Sequence, residues 1–307
     1  MSLDPQIIQA VALLAQGDVV AIPTETVYGL GADATNELAV QKIFKAKGRP
    51  SFNPLIVHVL NRQWAEKIGS IPPQAYPLLD QYWPGPLTIV VPLLPQTTVA
   101  PSVAAGLQTI GIRVPKHPLF RKLLEQYGKP IAAPSANASN TLSCTTAEDV
   151  AKSLGSKVSL ILDDTFPCEY GLESTIVDFS SPIPRILRHG AISQEALQLL
   201  KAPEGPLKAP GQMKRHYAPH LPLRLNVTVP HPGEAFLNFG SACPQETLNL
   251  SPEGNPEEAG RNLFHMLHTL DNPVRFSGIA VAPIPNKELG VAINDRLQRA
   301  ATTEDTP

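Results

Sequence analysis

Between Gln81 and Ile112 the chain carries no charged side chain, yet Pro84, Pro86, Pro92, Pro95 and Pro101 interrupt it. An uncharged stretch of that length could cross a bilayer only as an unbroken helix, and proline removes a backbone donor wherever it falls. The segment therefore reads as buried strand with loops, and no membrane association is expected. The constraint extends to the whole chain. Proline makes up 33 of 307 residues, roughly twice average usage, so short elements joined by rigid turns are expected and long helical bundles are not.

Hydrophobic residues at 43% suit a globular chain, and the length suits two domains. A formal charge of −2 argues against a surface built to wrap a polyanion. Cys144, Cys168 and Cys243 lie far apart without a CxxC pair, which excludes a zinc ribbon and a disulfide framework and suits a reducing cytosol. The opening MSLDPQIIQA lacks a basic region followed by an apolar core, so no signal peptide is expected and a cytoplasmic location is.

Asp4-Pro5 predicts a helix start and Gly17 a stop, with Ile7, Ile8, Val11 and Leu14 on one face. A second helix fits Asn36 to Ala46, and Thr145-Thr146-Ala147-Glu148 fits a capping box opening a third towards Leu154. Strands fit 19–23, 55–59, 87–91, 110–114, 131–134, 158–162, 175–179 and 185–187, and a short helix fits 193–200. This alternation predicts one α/β domain with a mixed twisted sheet over residues 1–200. Residues 201–222, KAPEGPLKAPGQMKRHYAPHLP, break the pattern and read as a linker or functional loop. Alternation then resumes over 223–307, with strands at 223–229, 235–239 and 279–283 and helices at 257–270 and 287–300. A smaller α/β domain is expected there.

Several segments carry side chains suited to a polar ligand. Gly29, Gly31 and Ala34 form G-x-G-x-x-A, but Thr24 to Tyr28 separates them from the strand, which spoils a dinucleotide fingerprint. A loop of hydroxyls and amides facing a ligand, or a plain glycine turn, both fit. Lys47-Gly48-Arg49 could simply end a helix, since cations and glycine favour that position. The continuation to Asn53 and His58 adds two more polar groups at one end of a buried strand, a natural anion site in an α/β sheet. Ser135, Asn137, Ser139, Asn140 and Ser143 offer compact neutral hydrogen bonds of the kind a purine or ribose needs. Thr109 and Arg113 share one strand face, where an arginine can fork onto a carboxylate or phosphate. Glu173-Ser174 and Arg188-His189-Gly190 add another hydroxyl and another arginine. His265 and His268 read as helix surface, and no Ser-His-Asp order emerges.

In order along the chain, PTETVYGLGAD, KAKGRPSFNPLIVHV, WPGPLTIV, TIGIRVP, APSANASN and ESTIVDFS resemble the threonylcarbamoyl-AMP synthases (L-threonylcarbamoyladenylate synthases), a YrdC-like family. APGQMKRHYAP and GVAINDRLQRAA are similar to the linker and the C-terminal end of its long two-domain form. The resemblance implies a YrdC-like twisted mixed sheet with flanking helices over 1–200, a linker or lid over 201–222 and a smaller Rossmann-like C-terminal domain over 223–307. It implies a nucleotidyltransferase that makes threonylcarbamoyl-AMP from L-threonine, bicarbonate and ATP, releasing pyrophosphate, with Mg²⁺ on the phosphates and no assigned metal ligands. The product feeds threonylcarbamoyladenosine formation beside the anticodon, which makes tRNA or a tRNA-modification transferase complex candidate partners.

Carried over by motif, the resemblance makes Lys47 and Arg49 catalytic. It places Arg49, Asn53, Thr109, Ser135, Asn137, Ser143, Arg188 and Tyr217 around ATP. It places Thr26, His58, Arg113, Ala133 and Ser174 around L-threonine and its carbamate. Lys208 to Pro219 is expected to order over the nucleotide. The chain departs from the family pattern at Asn140 (usually Gly), Cys144 (usually Pro) and Ala209 (usually Ser). A non-catalytic RNA-binding module and a carbamoyl-transfer module of the hydrogenase-maturation type are the competing functions. The net charge and sparse aromatics disfavour the first, and three isolated cysteines cannot build the zinc modules that accompany the second.

Overall fold

Two separate sheets organise the chain. The computed structural model describes residues 4–163, 168–203, 205, 208–211, 213 and 215–302. The larger sheet takes β1 (Val20–Ile22), β2 (Gly29–Asp33), β3 (Ile56–His58), β4 (Leu87–Pro92), β5 (Thr109–Arg113), β6 (Ile131–Ala132), β7 (Leu160–Ile161), β8 (Thr175–Asp178) and β9 (Arg185–Arg188). Their spatial order is β7-β1-β2-β6-β3-β5-β4-β8-β9. Three parallel pairs (β1 with β7, β3 with β5, β4 with β8) and five antiparallel ones give the mixed sheet expected. Around it run α1 (Pro5–Ala15), α2 (Glu37–Lys47), α3 (Arg62–Ala65), α4 (Tyr76–Tyr82), α5 (Pro101–Ala104), α6 (Pro118–Tyr127), α7 (Ala147–Leu154) and α8 (Gln194–Leu197). Among the described residues no helix is long and apolar enough to cross a membrane.

The second sheet is wholly parallel, in the order β10 (Leu223–Arg224), β13 (Gly278–Val281), β11 (Glu234–Asn238), β12 (Leu248–Asn249). Helices α9 (Pro256–Leu270) and α10 (Leu289–Ala301) pack against it. Its apolar core also takes in Val27, Leu142 and Leu172 from the larger sheet's side and Tyr217 from the connecting segment. Shared apolar burial of this kind holds two units in one arrangement.

Several elements differ from expectation for local reasons. The G-x-G segment is not a turn: Gly29 and Gly31 lie inside β2, paired with Ile22 and Val20. The cap of α7 falls one residue later than the motif suggested, with Thr146 bonding the Asp149 amide and Asp149 returning the bond. Ile8 is exposed, and α1 packs through Ile7, Ala10 and Leu14. The expected 193–200 helix stops at Leu197 because Gln198 adopts a left-handed conformation, and the 223–229 strand shortens to two residues. Helices α3, α4, α5 and α6 and strand β12 go beyond what the sequence pattern predicts. Within 201–222, residues 204, 206, 207, 212 and 214 lie outside the described residues, as do 303–307 at the end of the C-terminal segment.

Candidate functional site

One cavity gathers the ends of β3, β5, β8 and β9, the turn before β2 and the connecting segment. It begins at α2. Asn36 caps that helix by accepting from the amides of Leu38 and Ala39, and Gly48 ends it with φ +62°, a left-handed turn that only glycine makes without cost. The turn sends Lys47 and Arg49 inward. Arg49 is then fixed by Asn53: Nη2 donates to Asn53 Oδ1 at 2.6 Å and Nε to the Asn53 carbonyl at 3.1 Å. A further bond to the Pro54 carbonyl, 2.8 Å, completes the clamp.

Arg113, at the end of β5, pairs with Glu25 at 2.6 Å and donates to Thr26 Oγ1 at 2.9 Å. Burial alone would raise the Glu25 carboxyl, but the charge and hydrogen bond of Arg113 hold it below its usual range. Arg188, at the end of β9, donates to the Ser174 carbonyl at 2.8 Å and to the Pro210 carbonyl at 3.4 Å. Ser174 Oγ meets Thr88 Oγ1 at 2.7 Å, tying β8 to β4. Thr24 stabilises the preceding turn by accepting from the amides of Thr26 and Val27.

The electrostatics are lopsided. Arg49 and Arg188 are both buried, and among the described residues neither has a carboxylate at ion-pairing distance; carbonyl and amide oxygens hold them. Burial lowers the pKa of each, and for Arg49 the charge of Arg188 adds to the effect. His58 and His216 are pushed well below the usual imidazole range by burial, with Arg113 adding at His58 and Arg49 at His216, so both rings are neutral near pH 7. Among the described residues, Nδ1 of each and the Tyr217 hydroxyl are buried without a partner. A buried cation excess beside unpaired neutral donors and acceptors suits a polyanionic ligand with polar edges.

The structure brings most of the expected residues to this cavity. Thr26, His58, Arg113, Ala133 and Ser174 line one part, and Arg49, Ser135, Arg188 and Tyr217 are also on its wall. Other residues stand behind it. Lys47 Nζ donates to the carbonyls of Ser135 and Asn137, so it holds their loop and does not reach the cavity wall. Burial and then the Arg49 charge bring the Lys47 amine down to about 7. Asn53 acts through Arg49. Asn137 spends its amide on the carbonyls of Ala138 and Thr141. Ser143 donates to Glu173 at 2.6 Å. Thr109 sits at the opposite end of β5 from Arg113, across from Pro92, and is not on the cavity wall.

Sequence reasoning missed Glu25, Glu173, His216 and Arg296. The signal for Arg296 was present: it shares the buried face of α10 with Ile293, Leu297 and Ala300, where an unpaired cation would be costly. His268 is not mere helix surface, since its Nε2 lies 3.0 Å from the Ser143 carbonyl.

Residues 12–190 match a family model described as telomere recombination, that of the Sua5, YciO and YrdC proteins. Residues 183–302 match the model of the threonylcarbamoyl-AMP synthase C-terminal domain. The threonylcarbamoyl-AMP synthase of Bacillus subtilis is 39% identical over 97% of this chain and 93% of its own length. That of Pyrococcus abyssi is 36% identical over 95% and 93%. The crystal structure of P. abyssi Sua5 complexed with L-threonine superposes with a TM-score of 0.86 at 34% identity, covering 96% of this chain and 94% of that one.

Proposed function

This chain belongs to the threonylcarbamoyl-AMP synthases and is an enzyme of that type, and on that premise we propose that it condenses L-threonine, bicarbonate and ATP into threonylcarbamoyl-AMP and pyrophosphate. The observation that carries the proposal is the pair of buried arginines, Arg49 and Arg188, facing one cavity with no carboxylate partner among the described residues. Such cations await an anion.

Threonine is assigned to the Arg113 end. The P. abyssi relative was crystallised with this amino acid. Arg113 takes the carboxylate, Glu25 and Thr26 fix its orientation, and neutral His58 with Ser174 meets the polar groups of the amino acid. ATP is assigned to Arg49, Ser135, Arg188 and Tyr217, with Lys47, Asn53, Asn137 and Ser143 shaping that wall from behind. Thr109, at the far end of β5 from Arg113 and off the cavity wall, is given no part in the nucleotide site.

Once the threonine amine and bicarbonate have formed the carbamate with loss of water, a carbamate oxygen bonds to the α-phosphorus and the α–β phosphoanhydride bond breaks, releasing pyrophosphate. No covalent intermediate with the protein is required. The residues hold two anions together and stabilise charge on the phosphoryl oxygens, which is the work arginines do well. Among the described residues no group of three or more His, Cys, Asp or Glu could hold a metal. Magnesium would be carried on the triphosphate, where it would neutralise phosphate charge beside Arg49 and Arg188.

The fold's division into a catalytic part over 1–200, a covering segment over 201–222 and a C-terminal part over 223–307 belongs to the same proposal. So does use of the product in tRNA modification. Pyrophosphate release that requires threonine, bicarbonate and ATP together supports the assignment. Release without threonine, or none, overturns it.

A further inference from the structure

Helix α10 places Arg296, 1% exposed, in the middle of an apolar face. Its Nε donates to Glu173 Oε2 at 2.9 Å and its Nη1 to Asp295 Oδ2 at 2.9 Å. Its guanidinium carbon stands 5.0 Å from the centre of the Tyr217 ring. Glu173, in the loop entering β8, turns its other oxygen to Ser143 Oγ at 2.6 Å. Glu173 and Tyr217 both line the cavity, whereas Arg296 does not.

Glu173 is out of place in a cavity suited to anions unless its charge is met from behind. Burial would raise its carboxyl; the charges of Arg296 and then Arg188, with bonds from Ser143 and Arg296, hold it below its usual range. Of these partners Arg296 alone comes from the C-terminal sheet's side of the molecule. Neighbouring contacts run the same way. Arg299 donates to the Met213 carbonyl at 2.6 Å, and His268 meets the Ser143 carbonyl.

We propose that Arg296 is a positioning residue for the reaction: through Glu173 and Tyr217 it lets the C-terminal part of the chain align the Ser143 loop and the covering segment around the cavity. The inference rests on the adenylation assignment made above. It gives the C-terminal part a role in catalysis, because without Arg296 the buried Glu173 carboxylate loses its one ion-pair partner among the described residues and draws on Arg188, the cation meant for the triphosphate.

The test uses the full chain and threonine-dependent pyrophosphate release. A wild-type chain that releases none overturns the adenylation assignment. With an active wild type, Arg296→Met is expected to lower kcat about a hundredfold, the scale set by misplacing reacting groups by about 1 Å. Arg296→Lys, which keeps the charge, is expected to recover to within about tenfold of wild type, a partial rescue because lysine cannot reproduce the guanidinium fork. Glu173→Gln combined with Arg296→Met is expected to be no worse than Arg296→Met alone, since coupled residues are not additive. The half-buried pair Arg224–Glu234, 2.7 Å apart on the same part of the chain and off the cavity wall, supplies a control: Arg224→Gln leaves kcat unchanged. A folded Arg296→Met with wild-type kcat, equal losses in the Lys and Met variants, or additive losses in the double variant would each overturn the proposal. If Arg296→Met does not fold, the isosteric Glu173→Gln decides: a loss of about a hundredfold supports the relay and an unchanged kcat sinks it.

Discussion

Arg113 Nη2 lies 2.6 Å from Glu25 Oε1, and both side chains are almost wholly withdrawn from solvent. The second Glu25 oxygen accepts from the amides of Lys116 and His117, at 3.0 and 3.3 Å. Both oxygens of that carboxylate thus accept from protein donors, and the arginine is aimed by it. Glu25→Ala strands the Arg113 charge and is expected to cost about 3–5 kcal/mol in denaturant unfolding, together with threonine affinity. A loss below about 1 kcal/mol, the range of exposed pairs, would show that water already reaches the site. The sign with pH follows. Glu25 and Glu173 sit below their usual value of 4.5, so the stability they contribute is complete above that pH and is lost as acid carries the solution through their folded values.

Lys47 gives the opposite window. Its amine falls from 10.5 to about 7 on burial beside Arg49. Between those values the unfolded chain binds the extra proton, so this residue's contribution to stability rises as pH climbs from 7 to 10.5 and is flat below 7. NMR of labelled lysine methyl derivatives should show one amine titrating near neutrality, and ATP binding should raise its midpoint. Every lysine titrating near 10 would contradict the buried geometry.

Asn53 bears on activity through Arg49, while its Nδ2 also meets Met213 Sδ of the connecting segment at 3.4 Å. Asn53→Ala removes the Oδ1 acceptor at 2.6 Å while leaving the backbone carbonyl in place. Stability should fall by about 1–2 kcal/mol, the cost of unpairing a buried charged donor. The KM for ATP should rise while the KM for threonine stays near its wild-type value; equal changes in both would separate Asn53 from the nucleotide end.

Gly190 lets the chain leaving β9 pass against the loop entering β8. A Cβ at this position would stand 2.3 Å from the Glu173 carbonyl oxygen and 2.6 Å from the Ser174 carbonyl carbon, contacts that backbone cannot relieve. Gly190→Ala is expected to cost about 3 kcal/mol, the upper part of the range for single substitutions, and to displace Ser174 from Arg188. A variant with wild-type melting would show that the two loops can separate freely.

The sequence made legible what depends on local rules. Asp4, Asn36, Ser193 and Gly48 announced helix boundaries through their own hydrogen bonds or conformation. The prolines of 81–112 announced short elements, and the hydroxyl and cation motifs marked the segments that converge. What remained hidden depends on tertiary placement. Whether Lys47 faces ligand or props a loop is decided by Ser135 and Asn137, far along the chain. Glu25 sat in an unremarkable run of polar residues until Arg113 met it. Strand β2 carries two glycines and little β-branched content, so only pairing with β1 and β6 reveals it. Arg296 was visible as an oddity on an apolar helix face, but its partner lies across the molecule.

On the function proposed above, one cavity unites an amino acid, the bicarbonate carbon and the α-phosphate of ATP. Mass spectrometry of the product formed from ¹³C-bicarbonate, L-threonine and α-phosphate-labelled ATP tests it directly. A single nucleotide carrying the bicarbonate carbon, threonine and the α-phosphate together is expected, with pyrophosphate in equal amount, and no such species from Arg49→Ala. A labelled AMP that forms without threonine, or a product lacking the bicarbonate carbon, would contradict it.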